Sequence, residues 1–96
     1  MRVIVDEAAW RDLDAIGSWI AKDNPEAAYR ELAKIAHVIR QLGRFPGLSR
    51  EGRANGTREC VVAGTSYIVV FELGEKPATA VVTGVVHGAR NPERRL

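Results

Sequence analysis

A single cysteine, Cys60, leaves this 96-residue chain without an internal disulfide or a cysteine-built metal site. That excludes a disulfide-stapled secreted miniprotein and suits a reducing cytosol. Aromatic residues are scarce at 6%, so Leu, Ile, Val and Ala must do most of the packing. The longest aromatic-aliphatic run, Tyr67 to Phe71, falls far short of the roughly 20 residues a membrane helix needs. The N-terminus lacks the apolar stretch of a signal peptide. Walker, GxGxxG, HExxH, CxxC and GxSxG patterns are all missing, so nothing calls for a metal or a cofactor. The expectation is one soluble cytoplasmic domain over residues 1–96, with no cofactor and no membrane partner.

What is present fits that expectation. Apolar residues make up 46% of the chain and charged ones 27%, a globular rather than a disordered profile. Charge is unevenly placed. Residues 1–48 carry seven basic and seven acidic side chains, whereas Arg40, Arg44, Arg50, Arg53 and Arg58 are accompanied between positions 40 and 58 by Glu51 alone. The tail adds Arg90, Arg94 and Arg95 against Glu93. Eleven of fourteen cations are arginine, the side chain suited to bidentate contact with carboxylate or phosphate. An anionic partner is one reading of these arginines, and a solvated loop with a frayed tail is the other.

The periodicity predicts the elements. Arg2 to Val5 reads as a short strand, and Asp6 offers an N-cap to a helix whose stripe is Ala9, Leu13, Ile16 and Ile20. Val5 and Trp10 stand at the spacing of a hydrophobic staple. That helix ends near Lys22. Asn24 then caps a second helix with Pro25 at its first position, and Ala28, Leu32, Ile35, Ile39 and Leu42 keep four-three spacing until Gly43 closes it. The link is so short that the helices must fold back as an antiparallel hairpin. Gly43 to Gly56 reads as a loop, with Phe45-Pro46 as its anchor on the core. Three β-branched runs follow, Thr57–Val62, Ser66–Leu73 and Ala78–His87, joined by hairpin-length connections. The order is β-α-α-β-β-β, an α+β fold with a helical hairpin packed on a small antiparallel sheet.

Few residues carry chemistry. His37 lies about 200° around its helix from Ile35, on the polar face with Arg30, Lys34 and Gln41, and reads as a surface residue. His87 ends the last strand just before Gly88-Ala89-Arg90, which places a titratable ring near a guanidinium. Arg58 and Tyr67 are candidates to converge on it, and the plainer alternative is a histidine that closes the sheet end. Arg58 and Glu59 must point to opposite faces of their strand. Cys60, with no acid or histidine at a telling distance, reads as a small core residue. Trp10 and Tyr29 flank the helix stripes, where aromatics serve either as interface anchors or as partly buried seam residues.

Taken in order, Asp12-Leu13, Ile16, Ile20-Ala21, Asn24-Pro25, Ala27-Ala28, Leu42, Phe45-Pro46, Gly56-Thr57-Arg58-Glu59, Tyr67-Ile68-Val69 and His87-Gly88-Ala89-Arg90 resemble the RelE/ParE toxin superfamily, the ParE branch most. The resemblance runs from Val3 to Pro92 and departs where Ser49-Arg50 stands in place of the family's frequent Gly-Arg. It implies the toxin of a type II toxin-antitoxin system, held by a cognate antitoxin in a hetero-oligomer, with DNA contacted mainly through the antitoxin. ParE-like members inhibit DNA gyrase; RelE-like members cleave mRNA on the ribosome. For the gyrase reading no catalytic residue is expected. Trp10, Leu13, Tyr29, Arg50, Arg53 and Arg58 become candidates for binding the antitoxin, and His87, Arg90, Arg94 and Arg95 for binding the target. For the endoribonuclease alternative His87, Arg58, Tyr67 and Arg90 would act, with Glu59 assisting. A third alternative is a non-toxic homologue that serves only as an antitoxin partner.

Overall fold

The computed structural model describes residues 2–45, 47, 49–74 and 78–88. A strand β1 (Arg2–Val5) leads into helices α1 (Glu7–Ala21) and α2 (Pro25–Arg44), followed by β2 (Arg50–Glu51), β3 (Arg58–Val61), β4 (Tyr67–Leu73) and β5 (Thr79–His87). The strands form one sheet in the order β1-β5-β4-β3-β2. Neighbours from β2 to β5 pair antiparallel, while β1 joins β5 in parallel, Arg2 opposite Thr79 and Val5 opposite Val82. The sheet is therefore mixed. The chain can add a parallel edge because the helical hairpin, rather than a tight turn, follows β1. Within the expected loop, the structure adds the two-residue strand β2.

Local chemistry sets the helices where the spacing predicts. The Asp6 carboxylate accepts from the Ala9 amide at 3.0 Å, and the Asn24 side chain accepts from the Ala27 amide at 3.1 Å. Each satisfies an otherwise unpaired N–H of a first turn. α2 runs one residue past Gly43, and the Phe45 N–H closes it on the Gln41 carbonyl at 2.7 Å. Phe45 itself is 55% exposed, so it caps the helix without anchoring the loop. Pro46 lies outside the described residues.

The helix stripes cover one face of the sheet. Ala9 and Ile16 from α1, with Ile35 and Leu42 from α2, pack on Val62, Val69, Phe71, Ala80, Val82 and Val85. Leu13, Ile20, Leu32, Ile39, Cys60 and Tyr67 complete this layer from its margins. Full burial of a side chain such as Ile35, Leu42 or Phe71 contributes about 1.5–3 kcal/mol. The helices meet closely at Gly17, where a Cβ would stand 3.0 Å from Leu32 Cδ1.

A β-bulge decides which way β5 faces near its end. Val70 pairs with Gly84 and Phe71 with Val82, so Thr83 is left over. Ala80 and Val82 face the helices before it. After it the alternation inverts, and Val85 faces them instead. β1 pairs with β5 only as far as Val82, and there α1 takes over: the Asp12 carboxylate accepts from the Val85 N–H at 2.9 Å. A Cβ on Gly84 would lie 3.3 Å from that same carboxylate oxygen.

Candidate functional site

The bulge turns His87 toward the helix side, opposite Tyr67 on β4. Their rings meet edge to face, with centroids 5.4 Å apart and planes 85° from parallel. This is a favourable aromatic arrangement in a half-buried setting. The Gly88 N–H donates to the Ser66 carbonyl just beyond, which closes the strand end. The structure thus brings two of the sequence-predicted residues together.

Arg58 does not join them. It pairs across β3–β4 with Phe71, four residues along β4 from Tyr67, while His87 lies on the far side of that strand. At about 3.4 Å per residue the displacement is roughly 14 Å along the strands, before two strand spacings across. The Arg58 guanidinium is already engaged: Nε donates to Ser49 Oγ at 2.7 Å and Nη2 to the Ser49 carbonyl at 3.1 Å. The expected convergence of Arg58, Tyr67 and His87 is corrected by strand register, which no count along the sequence could supply. Ser49, where the chain departs from the superfamily pattern, proves to be the residue that holds Arg58.

Glu59 points the other way from Arg58, as alternation requires, and is 3% exposed. Its carboxylate accepts from Arg50 Nη2 at 3.3 Å and from the Arg53 backbone N–H at 3.1 Å. Its role is to fold the 50–58 segment onto β3. Gly52 fits only as glycine, because an added Cβ would meet the Thr57 backbone at 2.9 Å. Gly56, at φ +80°, supplies the left-handed residue of the turn. Between this segment and Leu73 lies a shallow open depression of about 310 Å³, with Glu51, Asn55, Thr57 and Arg58 on its walls.

The remaining candidates separate by exposure. Trp10 and Tyr29 stand out from the helices at 57% and 80% exposure, which favours the interface reading over the seam. Leu13, by contrast, packs against the core and offers little to a partner. Arg53 is exposed along its side chain, whereas Arg50 is paired with Glu59. His37 is a surface residue beside Gln41, with 3.3 Å between their side-chain nitrogens. Burial raises the Cys60 pKa above its ordinary value, which disfavours the thiolate a nucleophile would need. Arg90, Arg94 and Arg95 lie outside the described residues.

Sequence reasoning passed over two further residues. Trp19 is exposed on the other side of the α1 stripe from Trp10, with Lys22 Nζ 5.5 Å from its ring centroid. Helical arithmetic could have found it, since at 100° per residue Trp19 lies about 90° from the centre of the stripe, as Trp10 does on the opposite side. Asp12 enters the sequence reading only within the family pattern, and the signal for its role is Gly84, a glycine inside a strand that marks a bulge.

Among the described residues, no three of His, Cys, Asp and Glu are grouped to hold a metal ion. None of the described helices is long and apolar enough to cross a membrane.

Comparison with known proteins agrees with this geometry. The family profile of the ParE toxin of type II toxin-antitoxin systems, parDE, matches residues 3–92. A Sinorhizobium fredii protein named "Putative toxin Y4kP" is 42% identical over 65 residues, 68% of each chain. Among solved structures, a chain of the chromosomal ParDE system from P. aeruginosa superposes with TM-score 0.77 at 20% identity, covering 91% of this chain and 95% of that one. A chain of the RelBE2 toxin-antitoxin complex from Mycobacterium tuberculosis gives TM-score 0.64 at 26% identity, covering 90% and 95%. The YoeB/ParE toxin from Agrobacterium tumefaciens gives 0.62 at 17%, covering 91% and 98%. With the family profile spanning nearly its whole length on a matching fold, the chain belongs to the ParE toxin family of type II toxin-antitoxin systems.

Proposed function

We infer that this ParE-family toxin acts by binding DNA gyrase without catalysing a reaction of its own, and that a cognate antitoxin neutralises it. The observation that carries the reading is the separation of Arg58 from Tyr67 and His87. A ribonuclease needs a phosphate-directed cation within reach of its acid-base group, since proton transfer works over hydrogen-bond distances. Among the described residues the cation expected there, Arg58, is tied to Ser49 at the other end of the sheet face. The match to the ParE profile supports the same branch.

Antitoxin binding rests on the exposed aromatics. Trp10, Trp19 and Tyr29 leave the helical hairpin with large apolar groups facing outward, and aromatics of this kind dominate interface energetics. Related solved structures come from a ParDE system and a RelBE2 complex, which supports an antitoxin as the partner.

The test is a supercoiling assay with purified gyrase and the full-length toxin at micromolar excess. Loss of supercoiling that the antitoxin reverses is the expected result; unchanged supercoiling rejects the target. One observation favours a second reading, the endoribonuclease: the edge-to-face pair of Tyr67 and His87 holds an imidazole at the sheet end. It predicts translation arrest with cut mRNA, and His87→Gln retaining full toxicity would remove it.

A further inference from the structure

The outward side of α2 carries a run of cations that neither reading above uses. At 100° per residue, Arg30, Lys34, His37, Arg40 and Arg44 fall within an arc of about 120°. All five are exposed. From Arg30 to Arg44 the run is about 21 Å long at 1.5 Å per residue. No acid falls on that arc between them. Glu31 lies about 100° off to the side and is half-buried, and Glu26 precedes the run by one turn. The ion pairs among the described residues, Arg11 with Glu7 and Arg50 with Glu59, involve none of these cations. Among the described residues Lys34 donates to the Gly64 carbonyl at 3.3 Å, a neutral acceptor that does not offset its charge.

We propose that this face of α2 lies along the phosphate backbone of duplex DNA, so that the toxin itself, and not only its antitoxin, contacts DNA. The choice of partner follows from what the face lacks. Between the cations it shows Ala33 and Gln41, with no large apolar side chain to anchor a protein, whereas protein interfaces are depleted of charge at their centres. Protein–DNA interfaces are polar and strongly basic instead. A single strand would call for stacked aromatics, and Tyr29, at the N-terminal border, is alone. A straight helix face also suits the major groove of B-form DNA, about 12 Å wide, while the corresponding groove of A-form RNA is too narrow to admit it. Three of the four permanent cations are arginines, which grip phosphate in bidentate fashion.

The experiment measures binding of the full-length chain to a labelled random-sequence DNA duplex of about two helical turns, by fluorescence anisotropy from about 50 to about 200 mM salt. Four phosphate contacts give a log–log salt slope of about −3.6, and the double variant Arg40→Gln/Arg44→Gln flattens it by about 1.8. Both side chains are exposed, so circular dichroism and the melting midpoint should match the parent. Arg11→Gln, on α1 and outside the run, leaves the slope unchanged. The proposal is overturned if the double variant binds duplex DNA with the parent's slope and affinity. It is equally overturned if an acidic peptide or single-stranded RNA binds this face more tightly than the duplex does. A gyrase assay that fails leaves this result untouched, because the inference does not rest on that target.

Discussion

Glu59 is the buried charged residue among those described, and its position explains how a glycine-rich, arginine-rich segment holds a shape. One oxygen takes the Arg50 guanidinium and the other takes the Arg53 amide, so a single carboxylate pins both ends of the β2 turn. The two partners differ in what they can do without it. Arg50 keeps access to water, with its side chain 56% exposed, but the Arg53 N–H faces a buried acceptor. Glu59→Gln should therefore cost about 1–3 kcal/mol, the range for leaving a buried hydrogen-bonding group poorly matched. Arg50→Gln should cost less than about 1 kcal/mol, as exposed ion pairs do. Thermal melts check the asymmetry, at about 4–8 °C per kcal/mol for a chain of this size. Equal shifts would mean the ion pair, not the buried amide bond, holds the turn. Alternation along β3 placed Arg58 and Glu59 on opposite faces from the sequence alone. That Glu59 would be buried depends on β2 folding across it, and a two-residue strand has no periodic signature.

The helical hairpin is the element most legible beforehand. Ala9, Leu13, Ile16 and Ile20, then Ala28, Leu32, Ile35, Ile39 and Leu42, are turned inward as their spacing predicts, because apolar burial acts on a face and a face is a period. The two helices pack tightly at Gly17 against Leu32. Gly17→Val would drive two branches into that contact and should destabilise the fold by about 1–3 kcal/mol. Gly17→Ala combines the same tight contact with a gain in helix propensity of about 1 kcal/mol, so its net effect should stay small. Denaturant titration of the pair separates close packing from propensity; a Val variant as stable as the Ala variant would show that the helices part freely. β5 was legible in extent but not in facing. Its bulge leaves Thr83 unpaired and turns the end of the strand over, and Asp12 from α1 completes the bonding where β1 stops. This coupling joins residues 73 positions apart, beyond the reach of any local pattern.

Across the whole molecule the surfaces divide by chemistry. The helical hairpin exposes Trp10, Trp19 and Tyr29, α2 exposes its cations, and the sheet face beneath the hairpin is consumed by the core. Partners of different character can therefore bind without competing for the same atoms. Trp10→Ala combined with Tyr29→Ala should weaken antitoxin binding by at least tenfold, about 1.4 kcal/mol, while leaving the melting midpoint of the toxin nearly unchanged. Calorimetry of the variant with the antitoxin checks the first half and a thermal melt the second. Unaltered affinity would move the antitoxin site away from this side of the hairpin. A net charge of +2 gave little hint of such division, since the acidic residues of α1 offset the cations of α2 in the sum but not in space.

From the sequence by itself came the helices, their N-caps, the extents of β1, β3, β4 and β5 to within a residue or so, and the family, all of which rest on neighbours within a few residues or on short motifs in order. Tertiary structure alone decided that β1 runs parallel to β5, that Ser49 takes Arg58 away from His87, and that a bulge swings His87 onto Tyr67. Periodicity says which side of an element is apolar. Only the pairing of distant strands says which residues meet, because register is set by packing over the whole sheet at once.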